Sequence, residues 1–281
     1  MLHFSCMQGG LKMIDGFVFK DVYGIDDLLQ IMRCLRSEGG CPWDREQTHE
    51  SIKKNLIEET YEVIEAINKQ DRDLLCEELG DVLMQVVFHA QMEAEAGSFT
   101  FENVADGVCK KLIERHPHVF GEVQVDSSDE VLRNWEDIKK RSKGQTSQTE
   151  TMLSVPRELP ALMRATKVQK KAAKIGFDWP EVSGAVDKLY EETAELSSAI
   201  ESGSEEEIAE ELGDLLFSAV NVSRFVCCDA EEALTAATDK FIRRFARMEA
   251  TARERGLRLE EMSLSEMDSL WDEAKHDLLS K

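Results

Sequence analysis

Two runs of carboxylates carry the chemistry open to this sequence. Glu58-Glu59-Thr60-Tyr61-Glu62 is answered by Glu78-Leu79-Gly80-Asp81. The pattern returns as Glu191-Glu192-Thr193-Ala194-Glu195 and Glu211-Leu212-Gly213-Asp214, every acid displaced by the same 133 residues. Residues three apart on a helix share a face, with Cβ atoms about 5–6 Å apart. Glu59 pairs with Glu62 in this way, and Glu78 with Asp81. Two neighbouring helices can then aim four carboxylates at one point. The second copy does the same with Glu192, Glu195, Glu211 and Asp214. Two like charges about 4 Å apart repel by roughly 4 kcal/mol at an effective dielectric of about 20. A hard divalent cation with oxygen ligands relieves that repulsion.

A solvated acidic face would explain one Glu-rich helix. It does not explain two copies with unchanged spacing beside apolar stripes. A di-iron carboxylate bundle would need Glu-x-x-His on two helices, and here the motif is Glu-x-x-Asp. Magnesium, with manganese as a substitute, fits better than iron or zinc. Magnesium held by carboxylates keeps positions open for phosphate oxygens, so the expected partner is a polyphosphate. Cations should lie nearby to hold it. Lys240, Arg243 and Arg244 are candidates, Lys240 and Arg244 sharing a helix face. Ion pairing with the acidic helices is the competing reading for them. Lys111 and Arg115 repeat the spacing in the first half, with Glu114 where the second half has Arg243. His116 and His118 flank a proline and read as structural. No Walker-type phosphate loop and no nucleophile elbow is present.

The elements that must position these groups all read as helices. Apolar residues recur at helical spacing over 17–37, 48–68, 74–96, 101–115 and 127–143. They do so again from about 183 to 200, over a helix opened by a Ser204/Glu207 capping box, and from 229 to about 255. Leu75, Leu79, Val82, Leu83, Val86 and Val87 are expected to point inward, as are Leu56, Thr60, Val63, Ile64 and Ile67. Asp71 or Asp73 is a plausible cap between the two acidic helices. Pro42 reads as the stop of the first helix, within Gly39-Gly40-Cys41-Pro42-Trp43-Asp44. The polar stretch beginning Gly144-Gln145-Thr146-Ser147 reads as a linker. The expected division is a domain over 17–143, a linker over 144–155 and a second domain over 156–281.

The chain has 281 residues, 42% of them hydrophobic, enough for packed cores. Its formal net charge of −22 speaks against general nucleic-acid binding, which needs a basic face. No apolar run is long enough to span a membrane. Met1–Asp15 lacks the apolar core of a secretory signal, and Met13 is a second candidate start. The seven cysteines show no CxxC pair and read as free thiols of a reducing cytoplasm.

The ordered series of motifs resembles the MazG family of nucleoside triphosphate pyrophosphohydrolases in its full-length, tandem form. The resemblance rests on Gly-Gly-Cys-Pro-Trp-Asp at 39–44, Gln-Thr-His at 47–49 and both carboxylate sets. Arg115-His116-Pro117-His118-Val119-Phe120, Leu159-Pro160-Ala161-Leu162-Met163-Arg164-Ala165 and Gly176-Phe177-Asp178-Trp179 add to it. It implies an all-α fold of two helical-bundle domains, dimerisation and magnesium dependence. It also implies hydrolysis of the α–β phosphoanhydride of a nucleoside triphosphate, giving NMP and pyrophosphate, in a housecleaning role. Carried over, Glu192, Glu195, Glu211 and Asp214 would bind metal in the catalytic C-terminal half. Lys188, Lys240, Arg243, Arg244 and Trp271 would surround the nucleotide. Glu59, Glu62, Glu78 and Asp81 would be the equivalent ligands in the first half. The attacking water would be activated with Glu191 or Glu192 as base. The rival expectation is a non-catalytic nucleotide- or metal-sensing module.

Overall fold

Among the described residues there are helices and connections but no strand. The computed structural model describes residues 17–279. The readings placed on Met1–Asp15, on Met13 as a start and on Cys6 lie outside them. The chain divides into two compact units, the first ending at Lys139 and the second beginning at Lys140.

The first unit holds α1 (Ile25–Arg36), α2 (Pro42–Glu46), α3 (His49–Lys69), α4 (Arg72–Glu95), α5 (Phe101–Arg115) and α6 (Pro117–Phe120). α7 (Ser128–Ser142) crosses the boundary. The second holds α8 (Gln148–Leu153), α9 (Ala161–Ala173), α10 (Val182–Ser202), α11 (Glu205–Phe225), α12 (Ala230–Glu254) and α13 (Leu264–Leu279). A single 3₁₀ turn at Leu259–Glu261 joins the last two.

In each unit the acidic helices form a tightly turned pair, α3 with α4 and α10 with α11. The turn needs two residues. Gln70 takes a left-handed conformation at φ 55°, and Asp71 then caps α4 through the amides of Asp73 and Leu74. Gly203 at φ 74° and Ser204 do the same for α11. Left-handed backbone suits glycine and is strained for a residue with a Cβ, so Gln70 carries a cost that Gly203 avoids.

The duplication extends into the packing. Ile52, Ala66 and Val87 are buried in the first unit; Ala185, Ala199 and Val220, each 133 residues on, are buried in the second. Met32, Ile52, Val87, Phe88 and Met92 form the first core, against Leu28, Leu29, Met84 and Phe101. Met248, Ala252, Leu270 and Ala274 form a cluster in the second, against Met267 and Trp271.

Each unit also ties down its tryptophan-bearing turn with an arginine. Arg36 grips Glu95 through Nε and Nη2, at 2.8–3.1 Å, and donates to the Asp44 and Gln47 carbonyls. Burial pushes the Glu95 carboxyl up, but its hydrogen bonds from Arg36 and Gln91 outweigh that and hold it below the usual range. In the second unit Arg224 makes a two-pronged contact to Asp178 at 2.8 and 2.5 Å.

Several expectations are corrected. The first helix begins at Ile25 instead of Phe17; Asp27 turns back to accept from the Gly24 amide at 2.9 Å and pairs with Lys20, which fixes the helix start there. Pro42 starts a helix instead of stopping one, since its missing N–H costs nothing at the first helical position. The stretch 144–155, read as a linker, contains a short helix: Ser147 and Glu150 form a capping box that starts α8, and Val155 is buried. At Ser204 only half of the expected box forms. Its hydroxyl accepts from the Glu207 amide, but the Glu207 carboxylate takes the Ser202 hydroxyl at 3.0 Å. Leu79, Leu83, Ile64, Ile67 and Thr60 lie at the surface, because the shared seam of α3 and α4 runs through Ile52, Ala66 and Val87.

Gly40 faces the sharpest steric demand. A Cβ there would collide with the backbone carbonyls of Cys34 and Leu35, which the turn into α2 passes at close range. Gly40→Ala is expected to cost about 1–3 kcal/mol, as overpacking against backbone does. Urea unfolding of the full chain measures it; a midpoint equal to the parent's would refute the close approach.

Candidate active site and metal centre

Each half builds its site from one tight helix pair. In the second, one carboxylate oxygen each from Glu192, Glu211 and Asp214 lie within 4.8 Å of one another. Glu191, Glu192 and Glu195 satisfy the same condition, so Glu192 belongs to both sets. Glu192 is only 4% exposed. A carboxylate that deep needs a counter-charge or a shared proton. Lys188, one turn back on α10, supplies the charge. Its Nζ lies 2.5 Å from Glu192 Oε1 and 2.6 Å from Glu191 Oε1. The two contacts, Glu191 first and Glu192 second, push the ammonium above its usual range.

The rest of this set shows the strain of convergence. Burial, and then the charges of Glu195, Glu192, Asp214 and Glu210, hold the Glu211 carboxyl above the usual range. Glu195 is raised as well, first by burial and then by Glu192 and Glu191, with Lys188 acting against the shift.

In the first half Glu59, Glu78 and Asp81 bring oxygens within 4.8 Å of one another. Glu62 adjoins them. Burial, then Asp81 and Glu62, raise Glu59. Burial, then Glu62, Glu77 and Asp81, raise Glu78. The residue 133 before Lys188 is Asn55, which carries no charge. The two halves thus share their carboxylates and differ in the cation.

All donors in both sets are carboxylate oxygens, and burial, followed by mutual repulsion, raises several of them. Such a set fits a hard divalent cation and not a soft one. Glu59, Glu78 and Asp81 could hold one ion, and Glu192, Glu211 and Asp214 another, with Glu62 and Glu195 at their margins.

The remaining candidates fall elsewhere. Lys240, Arg243 and Arg244 sit on α12, and among the described residues none of them makes an ion pair or hydrogen bond to the carboxylates. Trp271 is half-buried on α13, its ring centroid 5.0 Å from that of Phe241, the neighbour of Lys240. His116 gives its Nδ1 to the Leu112 carbonyl at 2.6 Å and its edge to Trp135, as a structural residue would. The pairing of Lys188 with Glu191 and Glu192 is not among the sequence expectations, although its i,i+3 and i,i+4 spacing was readable. A second group also goes unanticipated: His49 stacks on His89 and bonds Glu93 at 2.8 Å, contacts across helices that spacing does not reveal.

Comparison with known proteins agrees with this geometry. The family model of the MazG nucleotide pyrophosphohydrolase domain matches twice, over residues 47–120 and 182–248. Each match contains one complete carboxylate set. The nucleoside triphosphate pyrophosphohydrolase/pyrophosphatase MazG of Thermotoga maritima is 48% identical over 250 residues, covering 89% of this chain and 95% of its own. The nucleoside triphosphate pyrophosphohydrolase of Escherichia coli K12 is 45% identical over 254 residues, covering 89% and 97%. The Bacillus subtilis protein YabN is 52% identical over 246 residues, which are 87% of this chain and 50% of YabN. The expectation of a non-catalytic sensing module falls with these findings. The chain is an enzyme of the MazG nucleotide pyrophosphohydrolase family, with one MazG domain in each half.

Proposed function

We propose that the chain hydrolyses nucleoside triphosphates between the α and β phosphorus atoms, releasing NMP and pyrophosphate, and that it does so with magnesium at the C-terminal set. The convergence of Glu192, Glu211 and Asp214 from two helices onto one point carries this reading. Magnesium held there would neutralise the triphosphate and polarise its oxygens. Glu192, shared by both oxygen sets, is its central ligand. Glu191 is exposed beside it and oriented by Lys188. Glu191 would take the proton of the attacking water once Lys188 turns to the phosphates, and the water forms the new P–O bond as the bridging bond breaks toward pyrophosphate. Lys188, Lys240, Arg243 and Arg244 would stabilise the charge on the departing phosphates, and Trp271 would stand by the base.

Assembly as a homodimer belongs to the same reading. Ile64, Ile67, Leu79 and Leu83 in the first half, and Tyr190, Leu212 and Leu216 in the second, leave apolar rows at the surface of the very helices that carry the acids. A second copy of the chain would cover them and could bring α12 cations to the carboxylates.

Product analysis tests the chemistry. Purified protein with magnesium and each of the common triphosphates is expected to give NMP and pyrophosphate in equal amounts. Formation of NDP and orthophosphate would overturn the assignment of the cleaved bond.

A further inference from the structure

We propose that Lys188 is a built-in stand-in for the metal: in the metal-free chain it neutralises Glu192, and it yields that carboxylate when an incoming triphosphate gives the ammonium a new anionic partner. This rests on the reading of the C-terminal set as a site for a divalent cation and a triphosphate.

Three observations carry it. Glu192 is the most deeply buried of the acids in either set, and Lys188 holds it at 2.5 Å. Glu192 is also the one acid common to both C-terminal oxygen sets. The lysine therefore occupies the carboxylate that any bound cation would need most. The duplicated half supplies the contrast. Its acids are arranged alike, yet Asn55 stands where the lysine would be, and Glu59 is only half-buried.

The physical consequence is competition. An ammonium and a divalent cation cannot share one buried carboxylate without strong repulsion. Lysine is suited to leave, being a compact charge on a flexible stem, and the Lys188 side chain is 37% exposed. Its release needs another anion, which a triphosphate provides. Metal and triphosphate should therefore assist each other at the C-terminal site, each making room for the other, and by linkage the assistance is mutual. The N-terminal set has no such gate and accepts a cation alone.

The test separates this role from the simpler ones. In the full chain, the N-terminal set is silenced by Glu59→Gln, Glu78→Gln and Asp81→Asn. Manganese binding without nucleotide is followed by the EPR signal of free Mn²⁺. Binding of a non-hydrolysable α,β-methylene triphosphate is followed by calorimetry at saturating Mn²⁺. In this background Lys188→Gln is expected to bind Mn²⁺ alone at least about threefold tighter, and the triphosphate at least about tenfold weaker. Lys188→Met should match Lys188→Gln, and Lys188→Arg, which keeps the charge, should match the parent in Mn²⁺ affinity. The opposite signs are the signature. A lysine that only binds phosphate would leave Mn²⁺ affinity unchanged, and a lysine that only supports the fold would weaken both; either result overturns the proposal. Glu192→Gln in the same background distinguishes the deeper failure. If it binds Mn²⁺ as well as the parent does, the cation-site reading falls and this proposal with it. If it loses Mn²⁺ while Lys188→Gln gains nothing, only the stand-in role falls.

Discussion

Glu192→Ala is expected to lower triphosphate turnover by more than about tenfold, about 1.4 kcal/mol or more of transition-state stabilisation, and Glu59→Ala by much less. The two residues hold equivalent places in the repeat, so the comparison controls for position. They differ in depth and company. Glu192 is buried, belongs to two oxygen sets and is held by a lysine; Glu59 is half-buried, belongs to one and has no lysine at the equivalent position. Loss of Glu192 removes the acid proposed as the central ligand and also releases Lys188 from its place. Initial rates for the two variants at low and saturating triphosphate decide the matter. Equal losses, or a larger loss at Glu59, would transfer the catalytic role to the first half.

Chelation should have the second large effect: EDTA is expected to abolish turnover and magnesium to restore it. It should also change how stability responds to pH. In the metal-free chain Glu59, Glu78, Glu195 and Glu211 sit above the usual carboxylate range, each chiefly through burial and then through neighbouring acids. A carboxyl raised in this way binds its proton more tightly folded than unfolded. Between the ordinary value and the raised one, the folded chain carries the extra protons, so stability falls as pH rises through that window. A bound cation removes this penalty, and at a concentration about 100 times its Kd it stabilises by about 2.7 kcal/mol in all per site. Asp27, Glu95 and Asp178 are shifted the other way, lowered on balance by Lys20, by Arg36 and by Arg224 respectively, and lose their contribution as pH falls. They act with and without metal. The informative quantity is therefore the melting temperature in excess magnesium minus that in EDTA, which should widen as pH rises through the carboxylate window. A gap that stays constant or narrows would count against a cation held among the acids of each half.

The helices and the repeat were legible because local rules decided them. Thr48, Asp71 and Asp229 cap where small polar residues precede periodic apolar runs. The 133-residue displacement marked the acid sets, and it also marks the buried triplets Ile52, Ala66, Val87 and Ala185, Ala199, Val220. Periodicity says which residues share a face; it does not say what covers that face. Leu79 and Ile64 fit an inward stripe by spacing yet lie at the surface of the chain. Short helices were missed where one cap outweighs a polar composition, as Ser147 does for α8. The acid positions followed from spacing alone. The depth of Glu192 did not, because burial depends on α11 packing against α10, which is a matter of tertiary structure.

The two-residue turns at Gln70-Asp71 and Gly203-Ser204 have a geometric consequence. Successive helical residues are rotated by about 100° around the axis. One residue inserted into either turn, and absorbed by the following helix, would swing its pair of acids a quarter-circle or more away from the facing pair. The brevity of the hinge thus sets the phase between the two helices, and the convergence of the acids depends on turn length as much as on the carboxylates themselves.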